Sequence, residues 1–231
     1  MEIETQEISS SLLRSKNIRL FIKRIDKNHN YLSGNKWYKL KYNFIEANNQ
    51  GVRLILTFGG AYSNHIAATA YLARKTGFKS IGIIRGEQYA SLNPTLKFAE
   101  DQGMKIHYIN RAEYLLKESS LFLEKIHSKF GDFYLIPEGG TNNLAIKGTS
   151  EILDKNDIYE YICCPVGTGG TMAGLVNSTN KNQKVIGFPA MKGGVGLKKS
   201  ILNWTDKNNF NLINDYHFGG YAKISKKLID F

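Results

Sequence analysis

Two short stretches carry residue types able to do chemistry together. Ser33-Gly34-Asn35-Lys36 places an amine just after a small-residue turn, at the start of a helix. Gly167-Thr168-Gly169-Gly170-Thr171 is a glycine-rich turn between an apolar strand and another helix. A lysine that forms Schiff bases needs a pKa lowered by burial or by nearby positive charge. Lys39 lies one turn from Lys36 on the same helix face. In the second stretch, glycines let backbone N–H groups turn toward an anion, and Thr168 and Thr171 add hydroxyl donors. The turn lacks the P-loop lysine and the full dinucleotide fingerprint. It reads either as a phosphate cradle or as a plain tight turn. An amine plus a phosphate cradle suits a phosphate-bearing aldehyde cofactor, and pyridoxal phosphate is the obvious candidate.

Two other strand exits are polar. In Thr57-Phe58-Gly59-Gly60-Ala61-Tyr62-Ser63-Asn64-His65 a strand ends, glycines turn the chain, and a hydroxyl, an amide and an imidazole open a helix. Such a helix N-terminus suits a carboxylate, although an ordinary loop with Ser63 as N-cap has the same pattern. Pro137-Glu138-Gly139-Gly140-Thr141-Asn142 is a second glycine-rich exit, in which Glu138 is a candidate acid or base without a partner carboxylate. No Ser/His/Asp order and no metal-ligand spacing is present.

The elements that must position these residues alternate along the chain. Strands are expected over 17–25, 52–58, 80–85, 105–109, 133–136, 159–166 and 185–189. Helices are expected over 35–49, 63–75, 94–102, 113–129, 144–153, 171–178 and 193–202, with a further one beginning at Lys223. Asn35 is expected to cap the first. Strands alternating with helices imply right-handed βαβ units and parallel sheets.

The composition narrows the function classes. The chain has 231 residues, 42% of them hydrophobic, enough for a large core. Lys and Arg total 31 against 20 Asp and Glu, a formal +11. The lysines are spread along the chain without a basic block or interleaved aromatics, so the charge suits anionic small molecules better than nucleic acid. No apolar run reaches membrane-spanning length and no signal-peptide layout opens the chain. Cys163 and Cys164 are adjacent, which speaks against a bridge between them and for a reducing, cytoplasmic setting.

Four motifs occur in order: Ser33-Gly34-Asn35-Lys36, Gly60-Ala61-Tyr62-Ser63-Asn64-His65, Pro137-Glu138-Gly139-Gly140-Thr141-Asn142 and Gly167-Thr168-Gly169-Gly170-Thr171. Together the series resembles the 1-aminocyclopropane-1-carboxylate deaminase/D-cysteine desulfhydrase family, from about residue 12 onward. The resemblance implies an α/β fold of type II among pyridoxal-phosphate enzymes, with two open, mostly parallel twisted sheets, flanking helices and the cofactor in the cleft between domains. It implies a smaller domain over 40–145, inserted into a larger one built from 1–39 and 146–231. It implies that Lys36 carries the cofactor covalently and moves protons, and that Asn64 bonds the cofactor ring oxygen. Ser63, Asn64 and His65 would hold the substrate carboxylate, with Ser63 taking a more active part. Gly167, Thr168, Gly169, Gly170 and Thr171 would hold the phosphate, with Lys39 as a further contact. Tyr221 would be an active-site tyrosine. The implied activity converts a small amino acid, D-cysteine or 1-aminocyclopropane-1-carboxylate, to a 2-oxo acid and ammonia, in a homodimer.

Departures accompany the match. A family segment with a second tyrosine and a hydroxyl residue facing the pyridine nitrogen is expected beyond residue 231. Ser33 stands where glycine is common, and Tyr62 is unusual at its place. His65 and the Gly-Thr-Gly-Gly-Thr loop resemble the desulfhydrase side. A β-replacement synthase of the same fold, and a protein that binds the cofactor without turnover, are the rival readings.

Overall fold

The computed structural model describes residues 3–88, 91–190, 196–219 and 223–231. Its centre is a four-stranded parallel sheet in the order β5-β4-β3-β6, where β3 is Leu54–Gly59, β4 Lys79–Arg85, β5 Met104–Ile109 and β6 Tyr134–Ile136. Strand alternation sends Leu56, Phe58, Ile81 and Ile83 to one face. There they pack with Phe122 and Ile126 of helix α6 (Ser120–Phe130) and Tyr114 of α5 (Arg111–Leu115). Ile55 faces the other way, packed with Leu40 and Phe44 of α2 (Asn35–Asn49) and Ala68 and Leu72 of α3 (Asn64–Thr76). Ile84 joins Ile66 of α3 and Leu96 of α4 (Pro94–Asp101). Both faces of the sheet are covered, as an all-parallel sheet requires.

A second parallel sheet runs β7-β8-β9, with β7 Tyr161–Val166, β8 Lys184–Pro189 and β9 Phe210–Leu212. Ile162, Cys164 and Val166 share a core with Met172, Leu175 and Val176 of α8 (Gly170–Ser178). Near the N-terminus β1 (Thr5–Ile8) and β2 (Leu20–Lys23) form an antiparallel pair flanking α1 (Ser11–Ser15). A one-turn helix at Leu197–Leu202, α9, and a short α10 at Lys226–Ile229 complete the regular structure.

Helix α2 joins the two cores. Tyr38 packs into the core of the three-stranded sheet, while Leu40 and Phe44 pack against the four-stranded one. Beside it lies α7 (Asn143–Thr149), and α8 lies beside α7. Missing side chains allow this closeness. A Cβ at Gly148 would stand 1.8 Å from the Tyr38 carbonyl oxygen, and one at Gly174 would stand 2.0 Å from Thr149 Oγ1. The amino end of α2 and the amino end of α8 are thereby locked to each other through α7.

Several expected elements differ. The single helix over 113–129 is two, because Ser119 accepts a hydrogen bond from the Phe122 N–H and restarts the helix there. The strand over 17–25 shortens to β2, and residues 193–195 of the helix expected over 193–202 lie outside the described residues. Strands β1 and β9 were not expected. The first is largely exposed and the second has three residues, so neither shows clear alternation; each exists because a neighbour offers a strand edge. Gly34 is the N-cap of α2 in place of Asn35, with φ +65° and ψ −142°, a conformation that glycine alone adopts easily. Asn35 is thereby the first helical residue, and its amide is available for other contacts.

Candidate active site

Lys36 and Lys39 project from the first turns of α2. The Lys36 ammonium donates to Asn35 Oδ1 at 2.7 Å, and Asn35 Nδ2 donates to Thr171 Oγ1 at 2.6 Å. Lys39, only 3% exposed, donates to the Gly139 carbonyl at 2.8 Å, Thr141 Oγ1 at 3.1 Å and Thr168 Oγ1 at 3.4 Å. The Thr141 and Thr168 hydroxyls are 2.6 Å apart. Both lysines are thus tied to the glycine-rich turn. Among the described residues no carboxylate lies within ion-pair distance of either. Burial lowers the pKa of Lys36. Burial, reinforced by the neighbouring Lys36 charge, brings Lys39 to about 7.

The turn presents a set of hydrogen-bond donors. Gly169 has φ +88° and is the N-cap of α8. The first backbone bond into that helix runs from Ala173 N–H to the Gly169 carbonyl, leaving the first-turn N–H groups of Gly170, Thr171 and Met172 as donors. A Cβ at Gly170 would meet Thr141 at 2.8 Å and the Lys39 ammonium at 3.3 Å, whereas Gly167 borders open space. Donor N–H groups, hydroxyls and the Lys39 amine, which has no carboxylate partner among the described residues, converge here, with Lys36 tied in through Asn35. A phosphate dianion satisfies that set, so the residues present fit a phosphate-bearing cofactor.

The third group lies at the amino end of α3. Ser63 caps that helix, its hydroxyl accepting from the Ile66 N–H at 3.4 Å. Asn64 is exposed at the first helical position, and the Asn64 and His65 N–H groups precede the first intrahelical bonds. The His65 ring turns inward and is 2% exposed. Its Nε2 lies 2.8 Å from Thr57 Oγ1, and that hydroxyl donates to the Ile136 carbonyl at 2.8 Å. The Thr57 proton is committed, so His65 Nε2–H is the donor and Nδ1 is a bare acceptor without a partner among the described residues. Burial first, then Lys36 and Lys39, hold its pKa well below the usual value, and the ring is neutral. A Cβ at Gly140 would stand 3.0 Å from His65 Cε1, so the Gly139–Gly140 turn closes over the imidazole.

A cleft of about 430 Å³ opens between α2, α3 and α4. Tyr31, Gly34, Asn35, Lys36, Asn64 and Phe98 are among its walls. Lys36 and Asn64 therefore face one space, while residues 167–171 of the glycine-rich turn do not line it. Tyr221 lies outside the described residues. Glu138 pairs with Lys117 at 3.3 Å instead of entering the cleft chemistry.

Sequence reading gave Thr57 and Thr141 no individual part, and Asn35 only that of a helix cap. Their signal was present: each is a hydroxyl or amide residue at a strand end or turn inside a motif already singled out.

No family model matches the chain. Among curated proteins, a Thermotoga maritima protein named "Putative 1-aminocyclopropane-1-carboxylate deaminase" is 33% identical over 91% of this chain and 74% of its own length. The chain belongs to the 1-aminocyclopropane-1-carboxylate deaminase/D-cysteine desulfhydrase family. An Arabidopsis thaliana member, named as a bifunctional D-cysteine desulfhydrase/1-aminocyclopropane-1-carboxylate deaminase, is 31% identical over 68% of this chain and 44% of its own. The solved structure of a deaminase homologue superposes with a TM-score of 0.81, at 23% identity, over 97% of this chain and 74% of that one. That likeness extends to maize serine racemase, with a TM-score of 0.59 at 18% identity over 79% and 55% of the two chains. The family member described here therefore has the type II fold of pyridoxal-phosphate enzymes. Among its described residues no helix is long and apolar enough to cross a membrane, and no cluster of His, Cys, Asp and Glu could hold a metal ion.

Proposed function

We propose that this family member is a pyridoxal-phosphate-dependent lyase that converts a small amino acid, D-cysteine by preference or 1-aminocyclopropane-1-carboxylate, to a 2-oxo acid and ammonia. The observation that carries the reading is the tie between α2 and the phosphate loop: Asn35 links Lys36 to Thr171, and Lys39 reaches Thr168. The cofactor phosphate would rest on Gly167, Thr168, Gly169, Gly170 and Thr171, with Lys39 supplying counter-charge. Lys36 would bind the cofactor aldehyde carbon, and Asn64 would donate to the ring oxygen. Bound there, pyridoxal phosphate supplies an electron sink at the substrate α-carbon.

The chain's own groups do the rest. Burial lowers the basicity of Lys36 Nζ, so it would shed its proton more readily than a solvated lysine and could then take one from a substrate carbon. Ser63 and the N–H groups of Asn64 and His65 would hold the substrate carboxylate at the positive end of α3. His65 contributes backbone and shape in this arrangement, its ring being fixed behind the loop by Thr57. Tyr221 would complete the site. The smaller domain would span 40–145 and the larger 1–39 with 146–231. That division runs through α2, and the four-stranded sheet falls within the first span. Family resemblance supports a homodimer, and unpaired Cys163 and Cys164 suit a cytoplasmic setting.

The test is a visible absorption spectrum of the protein with pyridoxal phosphate, followed by borohydride reduction and peptide mapping. The reading expects a band that reduction fixes on Lys36, and sulfide release from D-cysteine. Lys36→Ala should lose the trapped adduct and about 10²–10⁴-fold in turnover. Full turnover by Lys36→Ala would exclude the mechanism. A trapped adduct without turnover of any amino acid would leave a cofactor binder.

A further inference from the structure

One turn along α2 from Lys39 lies a pair of amides to which the reading above gives no part. Asn43 is fully buried. Asparagine is a poor helix former, and burying its amide costs free energy unless its polar atoms find partners. Here they do. Asn43 Nδ2 donates to the Lys39 carbonyl at 2.8 Å and to Asn142 Oδ1 at 3.3 Å. Asn43 Oδ1 accepts from Asn142 Nδ2 at 2.7 Å and from the Tyr134 hydroxyl of β6 at 3.3 Å. Asn142 is the N-cap of α7, its Oδ1 accepting from the Ala145 N–H at 2.9 Å. The outer partners orient both amides: the Lys39 carbonyl needs a donor, and the Ala145 N–H needs an acceptor.

Such a pair sets a register between two elements. Asn43 is tied to the Lys39 main chain. Asn142 directly follows Gly139, Gly140 and Thr141, the turn whose Gly139 carbonyl and Thr141 hydroxyl accept from the Lys39 ammonium at 2.8 and 3.1 Å. Thr141 in turn lies 2.6 Å from Thr168 of the glycine-rich turn. One side of the pair grips the backbone of Lys39, and the other ends the turn that receives its side chain. An apolar pair of similar shape would avoid the desolvation cost, but it would set no hydrogen-bonded register between the turn and α2.

We infer that Asn43 and Asn142 are positioning residues. They hold α2 and the Gly139–Thr141 turn in register, and so keep the Lys39 ammonium beside Thr168, where an anion on the glycine-rich turn would meet it. This rests on reading that turn as the phosphate site, and both asparagines act through Lys39.

The test is calorimetric binding of sulfate to the full chain before the cofactor is added. Sulfate stays a dianion around neutral pH, so a pH dependence belongs to the protein. The titratable groups around Lys39 are Lys36 on the same helix and His65 on α3. Glu138, on the turn itself, pairs with Lys117 instead. Sulfate affinity should fall as pH rises through about 7, where Lys39 releases its proton, and Lys39→Met should flatten that fall. Asn142→Ser keeps an oxygen to cap α7 but removes the donor to Asn43. Below pH 7 it should weaken sulfate binding about tenfold. It should also move the midpoint to lower pH, because the ammonium loses its fixed acceptors. Asn43→Leu, the apolar isostere, should do the same, and Tyr134→Phe, which leaves the amides paired, should do less. In the Lys39→Met background these substitutions should change sulfate affinity little, since the group they position is gone. Asn142→Ser retains the cap, so a poorly folded Asn43 variant would not obscure the result. Affinity and midpoint unmoved by Asn142→Ser, or equal losses with and without Lys39, would overturn the inference, and a borohydride adduct on Lys36 would then leave the lyase reading standing. Absence of sulfate binding at any pH would overturn it as well, by removing the anion site on which it rests. Coupling to Lys39 as expected, with no adduct on Lys36, would uphold the pair and overturn the lyase reading.

Discussion

Lys39 is the residue at which sequence and surroundings differ most. A lysine at a helix start is ordinarily solvated, yet this one is buried against Gly139, Thr141 and Thr168 with no carboxylate among the described residues. Its pKa falls from 10.5 to about 7. Between those values the unfolded chain holds a proton that the folded chain has released. This group's contribution therefore makes stability rise with pH from about 7 toward 10.5. Below pH 7 Lys39 is charged in both states, and its burial penalty is carried in full. Denaturation of the cofactor-free protein as a function of pH should show this slope. In Lys39→Met the slope across the window should be shallower, and identical slopes would count against the assignment. His65 illustrates the other direction. Its type and place at a helix start suggest a ligand contact, but Thr57 and Ile136 turn the ring inward. A buried hydrogen-bond partner eight residues away in sequence, on a strand, has no signature in the helix itself.

At the scale of elements, the site depends on how closely α2, α7 and α8 approach. Gly148 and Gly174 set that distance, since a methyl group at either would enter a neighbour's atoms. Gly174→Ala should cost about 1–3 kcal/mol in urea unfolding, because Thr149 must move to admit it. Gly148→Ala should cost at least as much, since it meets backbone at Tyr38. Both should also weaken binding of pyridoxal phosphate, by shifting the phosphate loop away from Lys39. Loss of stability with unchanged cofactor affinity would separate the helix contacts from the site. Both glycines were visible in the sequence, but a helix-interior glycine has several meanings, and only the packing shows this one. The helix expected over 113–129 teaches a related lesson. Its hydrophobic spacing continues across Ser119, and the break comes from a cap that the periodicity does not record.

At the scale of the whole molecule, the formal +11 charge is spread along the chain, while two lysines without a carboxylate partner among the described residues meet at one helix end. An anionic cofactor should be drawn in by both. Its association rate with the cofactor-free protein should fall roughly tenfold between low salt and a few tenths molar, as screening shortens the reach of the field. Stopped-flow absorbance would follow it, and a rate indifferent to salt would show that the net charge plays no part in capture. Dissociation should change less, because the bound phosphate contacts are short-ranged.

The order of strands and helices, the parallel sheets and the three glycine-rich strand exits were legible because each follows from local pattern: alternation, helical spacing, and glycine where a turn needs it. The four motifs in series were enough to indicate the family. What the sequence left open was which motif residues meet. Lys39 reaches across 100 residues to Gly139 and 129 to Thr168, and Asn35 reaches across 136 to Thr171. The aromatic stack of Tyr31, Tyr71 and Phe98 draws on three elements with no shared spacing. Such contacts are fixed by how α2, α7 and α8 nest and how α3 and α4 cover the sheet. Local chemistry chose the groups, and the packing of distant surfaces decided which of them face one another.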